Sequence, residues 1–547
     1  MRLSRLGSFH QSRLSFMRIL IRRMRREEWQ FSRPEFTIDR RGVGHAVYCA
    51  HTPDRTYSLI AFAHDLPANQ RSDRVIAQAW DSTFTLFDGV PNEDDIERLR
   101  QNIPLQEAGR VSGRELSVSR ANRSVRLWEE VVACLAKGVQ PEAEAIAKVG
   151  YLMRTTAVYG SGKLGAADRE MIADRPEFAA PFQVEMLSVF LTRTYVRDLV
   201  QHMANMRGGE TSAVLDPKIA RSMGIGNSTG LGMAPFLLNH PKLINNWVSA
   251  RETAIARVRA IRTAKSKDIT SFLELFNRSM LSVDLWQSEH PVQVGKLELL
   301  RNDMNALSGY INAYDFGASQ PWDSLYLWAE DALGQDAQEC LASLMLEPYG
   351  ELVDDLELQM SDSDAAMFSI DGTMRVAELR SQLAQTYDWA LSIDWTQKEY
   401  SARAWYVSEE KLEPRLGERF EEPIADYEQP LAPGRDAAAL HQALQDWSDD
   451  ATLAEFLLAH PEHRHTARRA QIVARAPYSE IRDNTIGSDL MPIDMLRCKL
   501  SFFGATHFDP RSDRWVRICL FGNAPYPEEL HSHGGDDWPY PPMDVSA

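Results

Sequence analysis

The sequence predicts an α+β protein in which two similar α+β units flank a mainly helical middle domain. Strand and helix patterns alternate near both ends of the 547-residue chain, whereas residues 168–370 carry apolar residues at helical spacing. Two pairs of residues also recur at an offset of 343: Tyr57 with Tyr400, and Arg154 with Arg497. An offset that holds across about 100 residues is typical of an internal duplication.

We divide the chain into four parts on these patterns. A basic N-terminal arm covers 1–28, the first α+β unit 29–167, the helical middle domain 168–370, and the second α+β unit with a C-terminal tail 371–547. Turn residues and apolar periodicity predict these elements in the first unit: two strands within 42–66, a helix over 72–87, a strand over 114–122, a helix over 123–138 and a strand from 151. The elements predicted in the second unit are strands over 389–395 and 399–412 and helices over 435–447 and 450–459.

Composition limits the classes of function. The formal net charge is −17, and an acidic body argues against nucleic-acid binding, because phosphate contacts need positive surface. No apolar run approaches the roughly 20 residues that span a bilayer, so we expect no membrane role. The five cysteines are scattered and form no CxxC pair, which favours a reducing, cytoplasmic compartment. We expect a homodimer and no cofactor.

The N-terminal arm is basic and has the pattern of an amphipathic helix. Residues 1–26 hold eight arginines and no acidic residue. We expect this arm to dock on an acidic neighbour within the protein. A role at a membrane or on RNA, or a start of the folded chain at Met17, are the alternatives.

A glycine-rich segment at 222–241 is the first candidate site. Glycines let the backbone approach a ligand closely, and free N–H groups at the start of a helix near Met233 favour an anion. We expect this loop, together with Arg154, to bind a carboxylate or phosphate. The ligand-binding residues predicted in the loop are Gly226, Asn227, Ser228, Thr229 and Gly230. The alternative is a loop that only packs between helices.

A second glycine-rich segment at 159–170 surrounds Lys163. A lysine in such a loop can hold an anion as a point charge or act chemically. The alternative is an ordinary strand-to-helix turn with an exposed lysine.

His507 and Asp509 form the third candidate, in the segment 502–515. Histidine is the natural acid or base near neutral pH, and an aspartate two residues away orients it if the loop folds back. The alternative is a plain turn between two strands.

The tail segment 531–537 places His531, His533, Asp536 and Asp537 at a spacing that resembles metal ligands. Because it lies near the terminus, where chains are often loose, a metalloenzyme is the third of our functional hypotheses.

Together these features predict an enzyme that acts on a small anionic metabolite. Lys163, His507 and Asp509 would be catalytic, in a site between the α+β units and the helical domain. Acid/base groups and an anion clamp suit lyase or hydrolase chemistry. The second hypothesis is a non-catalytic ligand-binding or scaffold protein that uses the same cleft.

Overall fold

The structure is a computed structural model of the full chain. The residues it describes are 12–67, 69, 79–102, 112–157, 172–230, 241–360, 370–397, 403–407, 414–418, 429–431, 433–479, 498–512, 515–532 and 535–540.

Within the described residues, nine strands form one sheet in the order β1-β2-β3-β4-β5-β6-β7-β12-β11, and three form a small second sheet in the order β10-β8-β9. The strands are β1 (Gln30–Ile38), β2 (Gly44–His51), β3 (Thr56–Ala63), β4 (Ser82–Asp88), β5 (Glu115–Arg123), β6 (Tyr151–Thr155), β7 (Gly224–Gly230), β8 (Arg403–Val407), β9 (Pro414–Glu418), β10 (Gln429–Leu431), β11 (His507–Ser512) and β12 (Trp515–Leu520).

The α-helices cover the large sheet and build the middle and last parts of the chain. They are α1 (Phe16–Arg26), α2 (Glu93–Asn102), α3 (Trp128–Ala136), α4 (Ala143–Val149), α5 (Gln183–Gly208), α6 (Pro217–Ser222), α7 (Pro241–Arg259), α8 (Ser266–Leu285), α9 (Pro291–Asn312), α10 (Pro321–Ala332), α11 (Gln335–Leu346), α12 (Gly350–Val353), α13 (Val376–Thr386), α14 (Asp388–Leu391), α15 (Pro433–Gln445), α16 (Leu453–Ala459), α17 (Arg464–Arg475) and α18 (Cys498–Phe502). A mixed α+β architecture is therefore confirmed.

The large sheet is antiparallel except at one place. Strands β1 to β6 pair in chain order, as a meander. Strand β7 then lies parallel to β6, and the hairpin of β12 and β11 continues the sheet in antiparallel pairing. Residues from the far end of the chain thus complete a sheet that the first 230 residues begin.

Helix α5 packs along one face of this sheet. The Ser188 hydroxyl of α5 lies 2.6 Å from the hydroxyl of Ser117 in β5, and the Tyr195 hydroxyl lies 2.9 Å from that of Ser82 in β4. Most residues of α5 are buried, including polar ones, because the helix lies between the sheet and other helices. One face of the sheet is therefore covered by α5.

Helix α1 is buried in the main core and not extended into solvent. Its arginines form ion pairs with carboxylates from the middle of the chain and from the tail, as the sequence predicted for an arm that docks on acidic residues. The pairing carboxylates are Glu347, Asp354, Glu357 and Asp536. The main core is shared by residues of the N-terminal helix, the large sheet, α5 to α11 and the final segment.

Helices α13 to α17 enclose a second, smaller core. Leu379 and Leu383 of α13, Leu440 of α15 and Phe456 of α16 are fully buried in it. The second predicted unit thus contributes to two cores, since its last residues belong to the main one.

Three predicted elements differ from the structure. The helix predicted over 72–87 is wrong for its described end, because Ser82–Asp88 is strand β4. Its Thr and Phe residues suit a pleated, half-buried surface, and the spacing of its aromatic residues only mimicked a helix. The predicted strand over 389–395 is wrong as well. Asp388–Leu391 is a short helix, and the Trp395 indole closes it by donating to the carbonyl of Ala390 at 2.9 Å.

The segment predicted as a ligand-binding loop is the third difference, because Gly224–Gly230 is strand β7, an interior strand between β6 and β12. Local sequence favoured a loop, since glycine is depleted in strands. Pairing with β6 on one side and β12 on the other outweighs that preference.

The internal duplication stays a prediction. Tyr400 and Arg497, the two far residues that define the offset of 343, lie outside the described residues. Among the helices described, none is long and apolar enough to cross a membrane.

Candidate functional site

The centre of the site is the parallel pair of strands β6 and β7. Thr155 lies beside Asn227 in this pair, so both strands run toward the same edge of the sheet and end there. Along the chain, the glycine-rich segment 159–170 follows β6, and the glycine-rich segment 222–241 contains β7. The topology therefore brings Thr155 and Asn227 side by side, although they are about 70 residues apart in sequence.

A row of polar residues crosses the sheet at the level where β6 and β7 end. Thr83 pairs with Arg120, the backbone of Arg120 bonds to Thr156 in both directions, and Ser228 pairs with Arg517, which pairs with Asp509. Residues that pair across strands point to the same face of a sheet. The row thus presents hydroxyl, guanidinium and carboxylate groups on one face.

Three arginines dominate this face, which we call the arginine face: Arg120 on β5, Arg154 on β6 and Arg517 on β12. Arg154 pairs with Gly226 in β7, and Arg517 pairs with Ser228 two residues further along the same strand, so both flank β7. Strands are spaced about 4.8 Å apart and rise about 3.4 Å per residue, so two strand spacings and a two-residue offset place the backbones of these two arginines about 12 Å apart. Arg154 is 7% exposed and Arg517 is 3% exposed.

The arginine face is opposite to α5. Ser82 and Ala121 pair with each other and point toward α5, whereas their chain neighbours Thr83 and Arg120 point the other way, because side chains alternate along a strand. The arginines therefore do not face the core beneath α5.

The arginine face continues toward β3 with further polar and aromatic groups. The His64 ring lies 3.1 Å from the Thr83 hydroxyl through Nε2, and burial lowers the pKa of this histidine. The Arg120 guanidinium lies 5.5 Å from the ring centre of Trp80, within the range of a cation–π contact. His64 is therefore mainly neutral near pH 7. It adds a hydrogen-bonding group to the arginine face and adds no further positive charge.

The structure gives two of the predicted loop residues a packing role. A Cβ atom on Gly226 would lie 2.6 Å from the Tyr151 ring, which is closer than real contacts allow. The Asn227 side chain is fully buried, and its amide donates to the Thr155 carbonyl at 3.0 Å. Gly226 and Asn227 thus hold β6 and β7 together. For Ser228, Thr229 and Gly230 the structure describes the backbone, which forms the end of β7.

His507 and Asp509 lie in β11, the outermost strand at this end of the sheet. His507 pairs with Cys519 and Asp509 with Arg517, so their strand is two strands away from β7. Asp509 is half-buried. Because β11 is three strands from β6, the backbones of His507 and Arg154 are about 14 Å apart across the sheet. Arg517, on β12, lies between β7 and β11.

Lys163, Met233 and the rest of both glycine-rich segments beyond Gly230 lie outside the described residues.

The C-terminal tail is used for ion pairing. The Asp536 carboxylate lies 2.9 Å from Arg22, 3.2 Å from Arg18 and 3.5 Å from Arg13, and these cations hold the pKa of Asp536 well below its usual range. Asp537 pairs with Arg278 at 2.6 Å. Within the described ranges, no three His, Cys, Asp or Glu side chains gather so as to hold a metal ion.

Sequence reasoning missed Arg517, which stands between the predicted segments. Arg517 is the single charged residue in the otherwise apolar strand Trp515–Leu520. This pattern could have identified it, since a buried charge usually has a specific partner or a function. The pairing of β12 with β7 joins residues almost 300 positions apart, and no local pattern in the sequence indicates it.

Comparison with protein-family models, with curated proteins and with solved structures finds no match.

Proposed function

We propose that this protein is an enzyme that binds a small anionic metabolite on the arginine face and acts on it by acid/base chemistry of the lyase or hydrolase type. The ligand carries a carboxylate or phosphate group. Arg154 and Arg517 bind it from either side of β7, and the backbone at the end of β7 forms the floor between them.

The observation that supports this most is the position of the two arginines. Both are almost fully buried, both point to one face, and the strand between them carries small residues at Gly226, Ser228 and Gly230. The Tyr151 ring lies over Gly226, so the anion of this proposal binds further along β7, beside Ser228 and Gly230, where arginine holds it through paired N–H donors.

Asp509 is the acid/base group of this proposal, with His507 beside it on the same strand. Asp509 stands next to Arg517 in the sheet register, so a ligand bound to Arg517 lies closer to Asp509 than one bound to Arg154. Lys163 contributes from the segment that follows β6. An internal duplication, a site between the units and the helical domain, a homodimer and a cytoplasmic location complete the proposal.

Thermal-shift measurements with a panel of carboxylates and phosphates test the binding step. A ligand that binds only the folded state raises its melting temperature. We expect at least one anion to stabilise the wild-type protein. Since hydrogen bonds to charged groups contribute about 1.5–3 kcal/mol, Arg517→Gln and Arg154→Gln should each weaken binding by about ten-fold or more.

Two variants control this experiment. Arg126→Gln removes an exposed arginine outside the arginine face and should leave binding unchanged, whereas Arg517→Lys keeps the charge but loses the paired donors and should give an intermediate affinity. Equal binding by wild type and both glutamine variants, with all variants folded, contradicts the proposal.

Turnover separates the enzyme from the non-catalytic alternative. Asp509→Asn and His507→Ala should abolish conversion of the stabilising anion while they leave its binding in place. An anion that binds through both arginines and is never converted indicates a ligand-binding protein.

A further inference from the structure

A second cleft lies on the other side of the sheet, between its β1 edge, helix α5 and the final segment of the chain. It encloses about 590 Å³, which is within the usual range for sites that bind small molecules. Trp29, Phe31, Tyr48 and Leu191 form its apolar part. It shares no residue with the arginine face, so it is independent of the function proposed above.

Charged groups of both signs line this cleft. Arg33 donates to Asp198 at 2.5 Å, and the Tyr48 hydroxyl donates to the same carboxylate at 3.0 Å. Arg197 forms an ion pair with Glu528 and lies 3.3 Å from Asp198. The cleft thus offers two cations and two anions in balance, which suits a ligand without net charge.

Two of these charged groups are accessible to a ligand. The Arg33 side chain is 48% exposed and the Glu528 side chain 56% exposed. A guanidinium has five N–H donors and a carboxylate accepts several hydrogen bonds, so the contacts described above leave capacity in both. A ligand carboxylate can therefore pair with Arg33 while a ligand ammonium pairs with Glu528.

A buried hydroxyl also points to a ligand here. Thr194 of α5 is 7% exposed and lines the cleft, and its Oγ1 atom has no hydrogen-bond partner in the part of the chain that the structure describes. Buried polar groups are nearly always hydrogen-bonded, because leaving one unsatisfied is costly. Thr194 can donate to or accept from a molecule in the cleft.

His531 adds an acceptor at the rim. Its Nε2 lies 2.9 Å from the Trp29 carbonyl, so the ring donates from Nε2 to this carbonyl. The tautomer follows from that bond, and it leaves Nδ1 as an acceptor for an N–H group.

We propose that this cleft binds a free amino acid with an apolar side chain. The ligand's carboxylate pairs with Arg33, its ammonium group pairs with Glu528 and the Thr194 hydroxyl bonds to one of its polar ends. The apolar side chain packs against Phe31, the partly exposed aromatic residue of the cleft. Charge balance selects a zwitterion, and the aromatic wall selects its side chain.

Isothermal titration of the full chain tests the proposal with L-phenylalanine, L-leucine and L-tryptophan as probes. We expect at least one to bind. For L-phenylalanine, 2-phenylethylamine lacks the carboxylate and 3-phenylpropionate lacks the ammonium group. Each analogue should bind at least about ten-fold more weakly than the amino acid, since each loses one charge-assisted contact.

Substitutions assign the binding to this cleft. Thr194→Val removes the hydroxyl at nearly constant size and should weaken amino-acid binding by about five-fold or more. Arg207→Gln, at an exposed position near the end of the same helix, should bind like wild type. The proposal is overturned if none of the three amino acids binds at millimolar concentration, if an analogue with one charge binds as well as its amino acid, or if folded Thr194→Val protein binds like wild type.

Discussion

The buried network that joins the two ends of the chain makes a strong prediction for Asp536→Asn. The Asp536 carboxylate is buried beside three arginines of the N-terminal segment, Arg13, Arg18 and Arg22. The substitution keeps the size of the side chain and removes its charge. Among the described residues, the carboxylates left to pair with these arginines are then Glu347, Asp354 and Glu357.

The expected cost follows from burial. Arg18 is fully buried, and removing one partner from a buried ion pair costs about 3–5 kcal/mol because the remaining charge is left without compensation. We therefore expect the free energy of the unfolding transition that releases α1 to fall by about 3–5 kcal/mol.

The loss depends on pH in a defined direction. The arginines lower the pKa of Asp536 in the folded state, whereas an unfolded aspartate has a pKa of about 3.9. A lowered pKa contributes stability above the unfolded value and loses it as the pH falls through the folded value. The difference between wild type and Asp536→Asn should thus be full at pH 7 and shrink below about pH 4.

Urea unfolding followed by tryptophan fluorescence measures this difference. Asp537→Asn is the matched control, because Asp537 is the next residue, its side chain is 52% exposed, and it also pairs with an arginine. Its partner Arg278 also donates to the backbone carbonyls of Asp537 and Tyr540. Asp537→Asn leaves these bonds in place, so we expect a smaller loss than for Asp536→Asn. If Asp536→Asn is no less stable than Asp537→Asn at pH 7, the buried network does not hold the two ends together.

Two further predictions concern packing in the sheet. Burial raises the pKa of the Cys519 thiol to about 11, so about one thiol in a thousand is ionised at pH 8. Alkylation followed by mass spectrometry should therefore show that the half-buried Cys134 is modified much faster than Cys519. Equal rates of modification would argue against the burial of Cys519. Gly226→Ala places a methyl group 2.6 Å from the Tyr151 ring and should destabilise the protein by about 1–3 kcal/mol. Gly295→Ala, where no atom lies within 4 Å of the new methyl group, should instead stabilise helix α9 by up to about 1 kcal/mol; equal melting temperatures of these two variants would contradict the packing of β6 on β7.

The elements that the sequence predicted correctly are those whose contacts are local. Strands β2 and β3 follow from two runs of strand-forming residues on either side of the Thr52–Arg55 turn, and helix α5 follows from its apolar spacing. In both cases the nearest neighbours in sequence are also the nearest in space.

The elements that it missed depend on distant partners. Strand β7 is a strand because β6 and β12 pair with it on both sides, and its glycines by themselves favour a loop. Pairing between β7 and β12 leaves no trace in local periodicity.

The candidate site shows the same division. Residue types alone selected Arg154 on β6 and the segments around β7 and β11. The sheet places β6 beside β7 and separates β7 from β11 by β12 alone. The assignment of Gly226 and Asn227 to ligand binding could not anticipate the Tyr151 ring and the Thr155 carbonyl that occupy them. Arg517 escaped notice because its neighbours in sequence are apolar.

A crystal soaked in selenate tests the central claim most directly, because selenium scatters anomalously and selenate resembles sulfate and phosphate in shape and charge. We predict an anomalous peak between Arg154 and Arg517, above Ser228 on the face opposite α5, and its loss in crystals of Arg517→Gln. A map with selenate at other arginines and none between these two would contradict an anion site on the arginine face.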